Sequence, residues 1–186
     1  MTTLTRRMVC GGGLALVGAA PAAGAIGSPY RLRTSGGQVV TETTYRGAWQ
    51  IVFFGFANCP DICPTALFSL SQVLPKLQGG ARTVGLFITV DPARDTPQRL
   101  ATYISNFDRR IVGLRGSAAE TEAAARAFRA RYSVRKEGGD YLVTHSSYLY
   151  VIDPTGRFVR TLRFDLPPDE LLEVLTSLGV GAPVGG

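Results

Sequence analysis

The chain is sparing with the side chains that bind soft metals or act as nucleophiles. Its 186 residues include one histidine, His145, one tryptophan, two methionines and three cysteines. A single histidine excludes the blue-copper type of electron-transfer site, which uses two. Charged residues make up only 18% of the chain, and its arginines are scattered among apolar and acidic residues. With no dense basic block and no interleaved aromatics, the pattern does not support nucleic-acid binding. Between residues 28 and 178 there is neither an internal repeat nor a linker. What remains, 45% hydrophobic residues in a chain of this length, describes one globular domain rather than two, and argues against disorder.

The first 25 residues read as an export signal. Thr5-Arg6-Arg7-Met8 is a positive start, residues 11–20 are small and weakly apolar, and Ala23-Gly24-Ala25 is an A-x-A cleavage site. Adjacent arginines before a glycine-rich segment suggest the twin-arginine route. A membrane anchor needs about 20 strongly apolar residues, and this stretch is interrupted by Gly18, Pro21 and Gly24. Removing the leader takes away Arg6 and Arg7 and lowers the formal charge from +6 to +4, a value suited to general solubility. It also removes Cys10, leaving Cys59 and Cys63 in an exported, periplasmic protein. An oxidising compartment favours structural disulfides. A bridge between residues four apart closes so small a loop that it restricts the unfolded chain very little, which weakens that reading.

After the leader, Tyr30 to Arg33 and Gln38 to Thr41 alternate around Ser35-Gly36-Gly37, a hairpin pattern. Trp49 to Phe56 is a continuous apolar run of the kind covered on both faces. Leu67, Leu70, Leu74 and Leu77 then recur at helical spacing up to Gly79-Gly80. Val84 to Val90 is a second buried strand, and Thr96-Pro97 caps a helix carrying Leu100, Tyr103, Ile104 and Phe107. Ser117-Ala118-Ala119-Glu120 is a capping box opening a helix to about Arg131. Glu137 to Asp140 reads as an exposed turn. Ser147 to Ile152 and Arg157 to Leu162 form two strands around Asp153-Pro154-Thr155-Gly156, and a last helix presents Leu171, Leu172, Leu175 and Leu178. Parallel connections early and an antiparallel hairpin late predict a mixed central sheet with helices on both faces. With a cysteine pair at a strand-to-helix junction, this is a single thioredoxin-like α/β domain over residues 28–178, with an N-terminal hairpin and a flexible tail at 179–186.

The chemistry concentrates in Phe53-Phe54-Gly55-Phe56-Ala57-Asn58-Cys59-Pro60-Asp61-Ile62-Cys63-Pro64. Cysteines at i and i+4 fall on one side of a helical turn, so both sulfurs can face one point. The opening of a helix favours thiolate over thiol. Pro60 and Pro64 stiffen the loop, and Pro64 suits the first helical turn. Thioredoxin's own motif has two residues between its cysteines and this one has three, which leaves metal binding and redox use both open. An isolated histidine is most simply a half-buried hydrogen-bonding residue. His145, however, lies at the approach to the Tyr148 strand, which in such a sheet neighbours the strand leading into the cysteines. That placement joins Cys59, Cys63 and His145 as a soft three-donor set suited to copper(I). Zinc also accepts two cysteines and a histidine, but no general base stands arranged around such a zinc.

These residues resemble the Sco/SenC copper proteins. Cys59-Pro60-Asp61-Ile62-Cys63-Pro64 resembles their C-P-D-x-C-P signature, and Asp91-Pro92-Ala93-Arg94-Asp95-Thr96-Pro97 their D-P-x-R-D-T-P segment. Tyr141 through Phe158 is similar to the stretch carrying the family's histidine, and Val112 to Ser117 to a segment of bacterial members. The similarity runs in order from about Tyr30 to Leu175. It implies a copper-binding protein, with Cys59, Cys63 and His145 as ligands, that assists assembly of the dinuclear copper centre of cytochrome c oxidase. The implied partner is the oxidase subunit holding that centre, with a second periplasmic copper donor or a thioredoxin-like reductant as further candidates. Thr144 stands where many relatives have aspartate. Asp91 and Asp95 read either as a strand-end turn supporting a helix cap or as groups behind the site.

Three functions compete: a copper metallochaperone, a thiol-disulfide reductase using Cys59 and Cys63 to keep the oxidase's copper-binding cysteines reduced, and a peroxidase using one cysteine. The last lacks the arginine and threonine partners of a peroxidatic site.

Overall fold

The computed structural model describes residues 26–77, 82–137 and 140–181. The leader at 1–25, the Gly79-Gly80 pair and most of the glycine-rich tail lie outside the described residues. Seven strands form one mixed sheet: β1 (Arg31–Thr34), β2 (Val39–Thr41), β3 (Trp49–Gly55), β4 (Thr83–Thr89), β5 (Ile111–Arg115), β8 (Tyr148–Ile152) and β9 (Phe158–Arg163). Their order is β2-β1-β5-β4-β3-β8-β9. β3, β4 and β5 run parallel, and the flanking pairs are antiparallel. Two further strands, β6 (Tyr132–Glu137) and β7 (Asp140–His145), pair only with each other among the described residues.

The apolar run of β3, broken only by the buried Gln50, is explained by its central place. Ile51 and Phe53 point to one side of the sheet, Val52 and Phe54 to the other, and all four are buried. The first side is covered by α1 (Ile62–Val73), α2 (Pro97–Ile104) and α4 (Pro168–Ser177), which contribute Leu67, Leu70, Leu100, Leu171 and Leu175. The second is covered by α3 (Ala118–Phe128) through Ala124, Ala125 and Phe128, the last packed edge-on against Phe54 and Tyr150. Helices therefore lie on both faces, as the order of elements predicts.

Element boundaries differ from the sequence reading where local chemistry intervenes. α1 ends at Val73, because Pro75 cannot continue the ladder, and Leu74–Lys76 tightens into a 3-10 turn. Its leucine stripe is nevertheless buried throughout, from Leu67 to Leu77. α3 has the full capping box, with Ser117 Oγ accepting from the Glu120 amide and Glu120 accepting from the Ser117 amide. It stops at Phe128 rather than Arg131, because Arg129 turns left-handed at φ 54° and the Ala130 amide bonds back to the Ala125 carbonyl. β5, β6 and β7 were not legible as strands. β5 mixes Gly113 with half-buried positions, and the β6–β7 hairpin is polar and one-sided.

Candidate metal centre

β3 carries the chain from the middle of the sheet to its edge, and the cysteine loop begins where the ladder stops. The Val90 amide bonds to the Gly55 carbonyl at 2.8 Å, the last tie before the loop. Asp61 stands at the N-cap of α1 without capping through its side chain. The sulfur of Cys59 takes that part instead, accepting the Cys63 amide at 3.4 Å. An unpaired amide at a helix start is a donor that favours an anion, so the helix opening and the Cys59 thiolate stabilise each other. Pro64 lies in that first turn, as its missing amide permits.

The two cysteines occupy different environments. Cys63 is fully buried and Cys59 is half-buried. Cys59 is shifted well below the ordinary thiol range, first by the hydrogen bond from Cys63 and further by hydrogen bonds from backbone amides. Cys63 is shifted upward, first as the donor in that same pair and then by burial. One proton is thus shared unequally: Cys63 keeps it, and Cys59 is the thiolate. Gly55 makes room for the buried sulfur. A Cβ there would stand 2.7 Å from Cys63 Sγ and 2.7 Å from Phe87 Cε2.

His145 ends β7 and reaches the cysteines from the opposite side. Its Nε2 is 3.4 Å from Cys63 Sγ, and the donor atoms of Cys59, Cys63 and His145 all lie within 4.8 Å of one another. Nδ1 meets the Ser146 carbonyl at 3.1 Å. A carbonyl only accepts, so Nδ1 carries the proton and Nε2 presents its lone pair to the sulfurs. Phe53 and Phe56 each stand edge-on to the imidazole, with ring centroids 5.8 Å away. These contacts fix the plane of the ring and shelter it from water. Two sulfurs and a neutral imidazole nitrogen converging at this spacing fit a soft ion of low coordination number. Hard ions prefer oxygen donors, and no carboxylate joins the three among the described residues.

The segment after β4 holds both walls of the site. Asp95 is fully buried; its Oδ2 accepts the Ala57 amide at 3.0 Å and the Thr89 hydroxyl at 2.5 Å. Burial raises its pKa, and Oδ1 has no partner among the described residues. Asp91 accepts the Tyr141 hydroxyl at 2.6 Å and pairs with Arg94 at 2.5 Å. Neither aspartate caps α2; Thr96 does, accepting the Arg99 amide at 3.2 Å. The strand-end turn is present, with the Arg94 amide donating to Asp91 Oδ1 at 3.3 Å and the Asp95 amide to the Asp91 carbonyl at 2.9 Å, and both carboxylates also reach groups behind the cysteine loop and the histidine strand. Tyr103, assigned to a helix stripe by its spacing, is half-buried, and its hydroxyl has no partner among the described residues. Sequence reasoning missed Gly55, Arg94 and Tyr141 as parts of the site. The signal for Gly55 was visible, since a glycine between two phenylalanines inside a buried strand marks a close approach.

Comparison with known proteins extends these observations across the domain. The chain is 41% identical to the mitochondrial SCO1 homolog 1 of Arabidopsis thaliana over 145 residues, covering 75% of this chain and 43% of that one. It spans about half the length of the first curated relatives it matches. Among solved structures, Arabidopsis thaliana ScoI with copper bound superposes with a TM-score of 0.78 at 38% identity, covering 83% of this chain and 98% of that one. Bradyrhizobium japonicum ScoI with copper bound gives 0.74 at 35% identity, covering 83% and 99%. The family description SCO1/SenC matches residues 18–179, a span containing the whole sheet, the cysteine loop and the histidine hairpin. By that match and by the identity it shares with these relatives, the chain belongs to the SCO1/SenC family.

Proposed function

We propose that this protein is a copper metallochaperone, which binds copper through Cys59, Cys63 and His145 and assists assembly of the dinuclear copper centre of cytochrome c oxidase. The observation that carries the reading is the convergence of two sulfurs and an imidazole nitrogen within 4.8 Å. The copper-bound solved relatives support the choice of ion. In this reading copper is cargo. Cys59 offers a thiolate at the entrance, Cys63 gives up its proton on loading, and His145 closes the set through Nε2. The leader supports export, with the protein working in the periplasm on the copper-centre subunit of the oxidase. No helix among the described residues is long and apolar enough to cross a membrane.

The unequal environments of the cysteines favour a second reading, thiol-disulfide reduction. The Cys59 thiolate would attack a disulfide of the target and form a mixed disulfide, releasing one target thiol. Cys63 would then attack Cys59, releasing the second. The target gains two electrons, and this protein leaves with a Cys59–Cys63 disulfide that a thioredoxin-like reductant reopens.

His145→Ala separates the two. Metal retention needs the imidazole and dithiol exchange does not. In a strain deleted for the protein, the variant is expected to fail in copper loading of the oxidase while its purified form still reduces a model disulfide. Normal loading by the variant would overturn the chaperone reading in favour of the reductase.

A further inference from the structure

The β6–β7 hairpin that delivers His145 is not part of the seven-stranded sheet. A two-stranded hairpin is marginal by itself in water, so the position of His145 depends on whatever docks the hairpin to the domain. Along β7, residues two apart share a face, which places Tyr141, Val143 and His145 together. Val143 is buried in the core, whereas Leu142 and Thr144 on the other face are exposed. Tyr141 is four residues before His145, about 13 Å along the strand.

At Tyr141 the hairpin meets the segment following β4. The Tyr141 hydroxyl donates to Asp91 Oδ1 at 2.6 Å. Arg94 Nε donates to Asp91 Oδ2 at 2.5 Å, and the Arg94 amide donates to Asp91 Oδ1 at 3.3 Å. The Arg94 guanidinium lies 4.0 Å from the centre of the Tyr141 ring, and one of its terminal nitrogens donates to the Tyr141 carbonyl at 3.3 Å. Asp91 is 3% exposed, so these contacts form away from bulk water, where charge-assisted bonds and stacking on an aromatic face are strongest. Four residues on, Asp95 grips the Ala57 amide at the start of the cysteine loop. A single short segment thereby holds the cysteine side with one carboxylate and the histidine side with the other.

We propose that Asp91, Arg94 and Tyr141 are positioning residues which dock the hairpin and set His145 over the cysteine pair, so that copper affinity depends on a contact made outside the donor set. The copper part rests on the three-donor reading above; the docking part does not. When a binding-competent arrangement is only partly populated, apparent affinity falls in proportion to that population. Loosening the clamp therefore weakens copper binding only as far as His145 contributes to it.

The test combines copper(I) titration against a competing chelator with amide exchange of the metal-free full chain. In the titration, Tyr141→Phe is expected to bind copper about tenfold more weakly than wild type, or about 1.4 kcal/mol. In a His145→Ala background the same change is expected to cost nothing further. Without metal, Tyr141→Phe is expected to speed exchange of the Thr144 and His145 amides about tenfold and leave β8 unchanged. Asp91→Asn is expected to repeat both results. An equal loss in the two backgrounds, or unaltered exchange at Thr144 and His145, would overturn the proposal. Equal copper affinity of wild type and His145→Ala would instead remove the three-donor reading and the copper part with it; the exchange result would still decide the docking role.

Discussion

Gly55→Ala introduces one methyl group at the point where the sheet meets the buried sulfur. Its φ lies outside the left-handed region, so alanine can adopt the backbone there. The obstacle is space. The new carbon would stand 2.7 Å from Cys63 Sγ, 2.7 Å from Phe87 Cε2 and 3.2 Å from Phe87 Cζ. Comfortable contacts between such atoms are about 3.5–4.0 Å, so the sulfur or the ring must shift by about 1 Å. The strand gives little, because Gly55 is paired in register with Thr89 and its carbonyl holds the Val90 amide. Overpacking of this kind costs about 1–3 kcal/mol, and the stiffer unfolded chain returns about 0.4–1 kcal/mol. A net loss of about 1–2 kcal/mol lowers Tm by about 2–8 °C in a domain of this size. If the metal-free protein relieves the strain by moving Cys63, loading copper must restore it. The same 1–3 kcal/mol then reappears as about 5–150-fold weaker copper binding. Gly113→Ala is the control. Its Cβ would meet Ile104 Cγ1 and Leu100 Cγ at 2.9 Å, equally crowded but between α2 and β5. Thermal unfolding and copper(I) competition on both variants should give similar losses of Tm and a loss of copper affinity in Gly55→Ala alone. Equal copper affinity in the two would refute the assignment of Gly55 to the space of the Cys63 sulfur.

Two further predictions concern protons. An ordinary thiol, with a pKa of about 8.5, is under about 1% thiolate at pH 6. Because the Cys59 pKa is lowered, first by its hydrogen bond with Cys63, its thiolate persists as pH falls through that range. Iodoacetamide at pH 6, read by mass spectrometry, should therefore label Cys59 and spare buried Cys63; a labelling rate that climbs only through pH 8–9 would contradict the shared-proton pair. Asp95 has its pKa raised, chiefly by burial, so the native state holds that proton above the ordinary carboxylate range while the unfolded chain releases it. Stability from this group is complete at low pH and declines as pH rises from the ordinary carboxylate value through the raised one. Thermal scans of the metal-free protein should show the decline in wild type and not in Asp95→Asn, and parallel curves would contradict the shift.

The parts of the molecule legible in the sequence are those where one local rule acts alone. The apolar runs of β3 and β4 announced a sheet covered on both faces, and Ser117 with Glu120 announced the start of α3, because burial and capping are written in adjacent residues. The cysteine pair was legible for the same reason, since the helix that orients Cys63 begins beside it. The contribution of β7 was not. Tyr141 meets Asp91 across 50 positions, and His145 meets Cys63 across 82, so no window on the sequence contains either pair. Histidine could be guessed because it is the chain's only one. Tyr141 is one of seven tyrosines and carries no such mark. β5 leaves no such mark either, because Gly113 yields its side-chain space to Leu100 and Ile104 of α2, which erases the alternation that identifies a strand.

In the metallochaperone reading, the division of Cys59, Cys63 and His145 between elements bears on how copper would be held and still given up. Cys63 belongs to the first turn of α1, packed against the core and fully buried. Cys59 is half-buried on the loop before it, and its sulfur is tied to the Cys63 amide. His145 comes from a hairpin with its own two-stranded sheet, held to the domain by Val143 and by Tyr141. Opening a site built on one rigid element would mean disturbing the main core. Here the imidazole would withdraw by undocking a hairpin whose other face exposes Leu142, at the cost of the Tyr141 contacts, the Phe53 and Phe56 contacts with the ring and the burial of Val143. Loss of His145 would leave a two-sulfur site, with Cys59 the sulfur an incoming ligand can reach and Cys63 the last to let go. The same order of access serves a reductase, in which Cys59 attacks and Cys63 resolves. The cysteines alone therefore fit both activities, and His145, brought by the hairpin, is the residue whose replacement separates them.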